Sequence, residues 1–129
     1  MRANWRRESL TDTAKLQEII IQSLKEKKAQ NITLIDMKEE VDWVEMFVIC
    51  TGMVDLHRKV LAEHLLEKTR KAGYEPLSVG GLEYVTFWIL MDFGSIVLHI
   101  FSPEARKYYN LEGIWGRADG RNIINIEEE

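Results

Sequence analysis

Hydrophobic positions change period several times along the chain, and each change marks an element. Leu16, Ile19, Ile20 and Leu24 fall at i, i+3, i+4 and i+8, with Lys15, Glu18, Gln22 and Lys25 on the other side. This spacing predicts a helix from Thr13 to near Ala29, capped by Thr11, Asp12 or Thr13. Residues 1–12 carry only Trp5 and Leu10 as apolar anchors and read as a flexible N-terminal arm. "NITLID" (31–36) reads as a strand, "MKEEVDWVE" (37–45) as a polar connection, and "MFVICT" (46–51) as a strand buried on both faces. Gly52 turns the chain. Asp55 is the expected N-cap of a second helix running to about Ala72, with Leu56, Val60, Leu61 and Leu65 as its inner stripe and Gly73 just past its end.

The second half changes to period two. Pro76 biases Glu75 towards extended backbone, and Gly80-Gly81 is a break. "VTFWILM" (85–91) and "SIVLHIF" (95–101) flank Asp92-Phe93-Gly94, the signature of a hairpin with Gly94 at positive φ. Alternation puts Trp88, Leu90 and Asp92 on one face, and Val97, His99 and Phe101 on one face of the next strand. One face of this hairpin must be core beneath helices. The other carries a large aromatic residue together with a histidine. Ser102 and Pro103 are an N-cap followed by an N1 proline, which opens a helix over 103–115. Residues 117–129 read as a polar, acidic C-terminal tail. The order αββα(β)ββα predicts a single α/β domain over 13–116, a mixed β-sheet flanked by helices.

Composition narrows the function. The 129 residues include 46% hydrophobic and 29% charged positions, the values of an ordinary globular domain. A lone cysteine, Cys50, cannot form an internal disulfide and favours a reducing, cytoplasmic setting. No secretory signal follows the N-terminal arginines, and no apolar run reaches the roughly 20 residues of a membrane span. The net charge is −4, and the basic clusters are interleaved with acids, as on solvated helix faces. That balance argues against a DNA-binding domain. An acidic domain can still dock on the basic proteins of a ribonucleoprotein.

Candidate chemistry is sparse. His57 and His64 are seven residues apart on one helix, about 10 Å between Cα atoms, too far to share one metal. Cys50 sits inside an apolar strand and reads as a small core residue rather than a nucleophile. "TGM" after a buried strand has neither the glycines nor the lysine of a phosphate loop. Asp36 and Asp92 stand alone at strand ends, whereas nucleotidyl transfer needs paired carboxylates for its metal. No catalytic residue, cofactor or metal ligand is expected.

The residues that carry a family resemblance are "LQEIIIQSLKEKKAQNITLIDM", "MFVICTG" and "VGGLEYVTFWILMDFGSIVLHIFSPEARKYYNLEGIW". The most specific pattern comprises Trp88, Leu90, Asp92, Phe93, Gly94, Leu98, His99, Phe101, Arg106, Tyr108, Tyr109, Leu111, Glu112 and Trp115. From Leu16 to Trp115 the chain resembles the ribosomal silencing factor (Iojap) family. The resemblance implies a nucleotidyltransferase-like fold without catalytic carboxylates. It also implies a non-enzymatic factor that binds the large ribosomal subunit through large-subunit ribosomal protein fourteen. Such a factor blocks joining of the small subunit, represses translation, serves late large-subunit assembly and forms homodimers when free. The expected partner-binding residues are Trp88, Asp92, His99, Tyr108, Tyr109, Leu111, Glu112 and Trp115. Around residue 54, where the family usually has a serine after T-G, this chain has Val54, followed by His57-Arg58; the family's Glu-Gly is Gly80-Gly81. A degenerate nucleotide-binding protein and an RNA-binding assembly factor are the competing readings. The first predicts magnesium-dependent nucleotide affinity, the second salt-sensitive affinity for naked ribosomal RNA.

Overall fold

The computed structural model describes the backbone of residues 2–127 and the side chains of residues 13–127. The chain order is α1 (Arg2–Glu26), β1 (Gln30–Asp36), β2 (Met46–Thr51), α2 (Asp55–Lys71), β3 (Ser78–Gly80), β4 (Trp88–Asp92), β5 (Ile96–Phe101), α3 (Pro103–Tyr109), α4 (Leu111–Trp115) and β6 (Ile123–Asn125). The strands form one six-stranded sheet in the order β3-β4-β5-β2-β1-β6. Only β2 and β5 run parallel, in register from Met46 opposite Ile96 to Thr51 opposite Phe101; every other neighbouring pair is antiparallel. Both central strands are buried at all six positions, which is why they read as continuous apolar runs.

Each face of the sheet has its own core. On one, Leu16, Ile20 and Leu24 of α1 and Leu61, Ala62 and Leu65 of α2 pack on Leu34, Val48, Cys50, Met91, Leu98 and Ile100. On the other, Ala105 and Leu111 from α3 and α4, with Met37 and Val44 from the β1–β2 connection, cover Ile35, Phe47, Ile49, Val97 and Phe101. Strand alternation assigns each side chain to its face; α1 and α2 finish one face, and α3, α4 and the β1–β2 connection finish the other.

Several local expectations need correction. The backbone of α1 is helical from Arg2, well before the capping signals at Thr11–Thr13, and it ends at Glu26 rather than near Ala29. The side chains of the expected arm lie outside the described residues. Lys28 takes a left-handed φ of 63°, and the Ala29 N–H reaches back to the Leu24 carbonyl, so the helix closes by backbone bonds. Asp55 is not the N-cap of α2. Val54 holds that position, while the Asp55 carboxylate accepts the Thr86 N–H at 2.6 Å and the Thr86 hydroxyl. The buried stripe of α2 is Arg58, Leu61, Ala62, Leu65 and Thr69, and Leu56 and Val60 are exposed. The expected single helix over 103–115 is two, because Asn110 adopts φ 45°; it ends α3 and caps α4 by accepting the Gly113 N–H. The expected polar tail contributes β6, which pairs antiparallel with β1 through Thr33–Ile35. A three-residue edge strand such as β6 is hard to see in sequence because it is too short to show a period and buries little apolar surface.

Arg58 carries the join between α2 and the segment entering β4. Its Nε donates to the Thr86 carbonyl at 2.6 Å and its Nη1 to the Gly52 carbonyl at 2.7 Å, both bonds buried. A Cβ on Gly52 would lie 2.5 Å from Arg58 Cγ, so this turn and this arginine require each other. Removing the guanidinium strands two buried carbonyls, each costing about 1–3 kcal/mol. Arg58→Met is therefore expected to lower unfolding free energy by about 2–4 kcal/mol in urea denaturation; an unchanged midpoint would remove this role.

Candidate functional site

The second sheet face is incompletely covered. β5 is buried throughout, but β4 alternates: Ile89 and Met91 are buried under α2, while Trp88, Leu90 and Asp92 remain half-exposed on the opposite face. α3 and α4 stop short of this strand's outer edge. The uncovered strip of β4 therefore carries a tryptophan and a leucine facing outward beside the C-terminal helices.

Around it runs a continuous chain of aromatic rings. The Trp88 indole lies 4.5 Å from the Tyr109 ring and 5.0 Å from Phe101 between centroids. Tyr108 packs edge-to-face on Tyr109 at 5.1 Å and is 81% exposed. Inward, His99 meets Phe47 edge-to-face at 4.9 Å and stacks with Phe101 at 6.0 Å. Phe47 in turn contacts Trp115 at 6.2 Å and Trp43 at 6.0 Å. Consecutive tyrosines on a helix point in different directions, so Tyr109 faces the sheet and Tyr108 faces outward.

The structure thus brings Trp88, His99, Tyr108, Tyr109, Leu111 and Trp115 into one neighbourhood, at different depths. Trp88, Tyr109 and Trp115 are half-buried, Tyr108 is exposed, and His99 and Leu111 are beneath the surface. Asp92 lies four residues along β4 from Trp88, about 13 Å away, and its carboxylate caps the hairpin turn by accepting the Gly94 N–H at 2.7 Å. Glu112 is tied to Arg106, whose Nε and Nη2 each lie 3.1 Å from its Oε2. Arg106 also donates to the Asn31 carbonyl and to the hydroxyls of Thr51 and Thr33. That guanidinium is engaged on every side, so the open pocket of about 480 Å³ beside it offers no free cation from this residue. Alternation placed Leu90 on this face, but it was not among the expected partner-binding residues; Trp43, a single aromatic inside a polar connection, gave no signal.

His99 has a defined protonation pattern. Trp88 Nε1–H can only donate, and it points at His99 Nδ1 at 3.1 Å, so neutral His99 carries its proton on Nε2. That nitrogen is buried without a partner. Burial lowers the imidazole from the ordinary 6.5 to about 4.

Other candidate chemistry resolves into packing. His57 Nε2 donates to the Lys27 carbonyl at 2.7 Å and His64 Nε2 to Glu26 Oε1 at 2.8 Å, so both half-buried histidines hold the end of α1 on α2. Cys50 is fully buried, and desolvation pushes its thiol up to about 12, which removes it as a nucleophile at neutral pH. Asp36 and Asp92 are on β1 and β4, with β2 and β5 between them, so they form no carboxylate pair. Among the described residues no group of His, Cys, Asp and Glu is placed to hold a metal ion, and no helix is long and apolar enough to cross a membrane.

The fold and site together define an α/β domain whose second sheet face carries a partly uncovered aromatic strip. Residues 10–129 match the family model described as ribosomal silencing factor during starvation, and the chain belongs to this family. The ribosomal silencing factor RsfS of Halalkalibacterium halodurans is 31% identical over 103 residues, covering 80% of this chain and 87% of that protein. The mouse protein named mitochondrial assembly of ribosomal large subunit protein 1 is 29% identical and matches 76% of this chain, but only 44% of its own length. A crystal structure of a Chromobacterium violaceum protein superposes with a TM-score of 0.76 at 26% identity, covering 79% of this chain and 84% of that one. One from Bacillus halodurans gives 0.72 at 27% identity, covering 88% and 98%. The mixed sheet flanked by helices is therefore shared with solved structures.

The His99 environment yields a pH dependence. Because the unfolded chain binds a proton that folded His99 rejects, stability is full above pH 6.5 and falls as pH drops towards 4. The expected loss is about 3 kcal/mol at the lower end. It lies above the window of Asp55, whose carboxyl is held at about 2 chiefly by the hydrogen bonds from Thr86. Denaturant titrations of the parent chain and His99→Phe from pH 7 to 4 check this, since the variant should lack the slope.

Proposed function

We propose that the chain binds the large ribosomal subunit through large-subunit ribosomal protein fourteen, and that the bound chain prevents the small subunit from joining. The reading rests on membership of the silencing-factor family and, above all, on the uncovered β4 strip where Trp88 and Tyr109 lie half-exposed in contact. Large aromatics held rigidly by a buried layer are the usual centre of a protein interface. Leu90, Tyr108 and Trp115 extend this surface. Leu111, His99 and Glu112 support it from beneath or behind, and Asp92 sits at its far margin. An interface of about 800 Å² on this domain is enough to exclude a competing body by occupancy alone, with no bond made or broken. Such a factor represses translation and can also attend late assembly of the large subunit, in the cytoplasm, without enzymatic activity. When free, the chain pairs with a second copy; exposed Leu56, Leu77 and Tyr84 are apolar surface in keeping with self-association.

Trp88→Ala and Tyr109→Ala are each expected to weaken binding to purified large subunits by roughly tenfold or more while leaving the circular dichroism spectrum unchanged. The parent chain should slow subunit joining in a light-scattering assay, and both variants should slow it less. Binding by both variants at parental affinity would remove the aromatic strip from the interface. Sedimentation of the isolated chain tests the pairing, a monomer at micromolar concentration being the contrary result.

A further inference from the structure

We propose that His99 is a positioning residue for the docking surface: its buried Nδ1 accepts the Trp88 indole N–H and so fixes the orientation in which that indole is presented to the partner. This rests on the docking reading above.

His99 has no surface of its own to offer, being 4% exposed. Its surroundings are the rings of Phe47, Phe101 and Trp88. In such a pocket an apolar ring would be at least as stable, because the imidazole leaves Nε2–H buried and unpaired. What histidine supplies, and phenylalanine cannot, is an acceptor at Nδ1, and that acceptor is used by Trp88 at 3.1 Å.

The geometry makes this bond consequential. Trp88 begins β4, opposite Phe101, and its ring has open surface on one side and Tyr109 at 4.5 Å on another. A half-exposed indole without a polar tether can rotate about its side-chain torsions, and ordering it on binding costs affinity. The hydrogen bond turns the N–H edge inward and leaves an apolar face outward. Only one neutral tautomer of His99 serves, and the apolar pocket disfavours the imidazolium, whose Nδ1–H would oppose the indole N–H. The partner therefore meets one preset aromatic face rather than several.

The test is a double-mutant cycle on binding to purified large subunits at pH 7.5, using Trp88→Phe, His99→Phe and the combination. Trp88→Phe keeps a ring and removes the donor; His99→Phe keeps a ring and removes the acceptor. Each single variant should weaken binding about five- to tenfold, and the double variant no more than Trp88→Phe alone. His99→Asn, whose amide oxygen can replace Nδ1, should restore most of the affinity. The Trp88 indole ¹⁵N–¹H resonance, identified by its loss in Trp88→Phe, should move in His99→Phe and stay near its parental position in His99→Asn. Losses that multiply in the double variant, or parental binding by His99→Phe where Trp88→Ala is impaired, would overturn the positioning role alone. Parental binding by Trp88→Ala would instead remove the docking reading, and this proposal with it.

Discussion

The parallel pairing of β2 with β5 is the constraint on which the remaining structure depends. Parallel neighbours cannot be joined by a tight turn, so the chain between Thr51 and Ile96 must cross over, and it does so through α2 and the β3–β4 hairpin. Because both strands point the same way, the starts of α2 and α3 are delivered to the same end of the sheet. There Arg58 bonds the Gly52 and Thr86 carbonyls, and Arg106 gathers Thr33, Thr51 and Asn31. Burial of both strands on both faces then demands cover on each side. The first two helices supply one layer and the C-terminal helices the other.

The proposed docking surface follows from where that second layer ends. α3 and α4 together are short, and they cover β5 but not the neighbouring strand β4. Trp88 and Leu90 are left with one side against the sheet and one side open. The rigidity of this strip comes from the layer beneath it, where His99, Phe101 and Phe47 pack ring against ring. Glu112 and Asp92, which look in sequence like charges free for a partner, are engaged by Arg106 and by the Gly94 turn. Apolar surface therefore dominates the centre of the strip, with the surrounding charges better suited to steering than to holding.

The elements that bury a full apolar pattern were legible in the chain. "MFVICT" is β2 over its whole length, Ser102-Pro103 opens α3, and Gly94 and Gly73 take the positive φ that their turns require. What misled was local chemistry with a non-local partner. Asp55 looks like a helix cap, but its carboxylate is taken by Thr86, 31 residues away. Arg58 looks like a surface charge, yet its donors are used by two buried carbonyls. The stripe of α2 shifts accordingly, and Leu56 and Val60 turn outward.

The sequence by itself determined the α/β class, the central strands and the hairpin, because periodicity encodes which side of an element is buried; that Trp88 rather than Phe87 shares a face with His99 came from the strand register. Nor could the sequence determine depth. That Trp88 and Tyr109 reach the surface, that Tyr108 is exposed, and that His99 lies beneath them depends on how far two short helices extend over the sheet. Asn110 breaks those helices, and β6 closes the opposite edge by backbone bonds to β1 that carry little side-chain signature. Coverage of one element by another is a property of packing across the chain, and only the tertiary structure decided it.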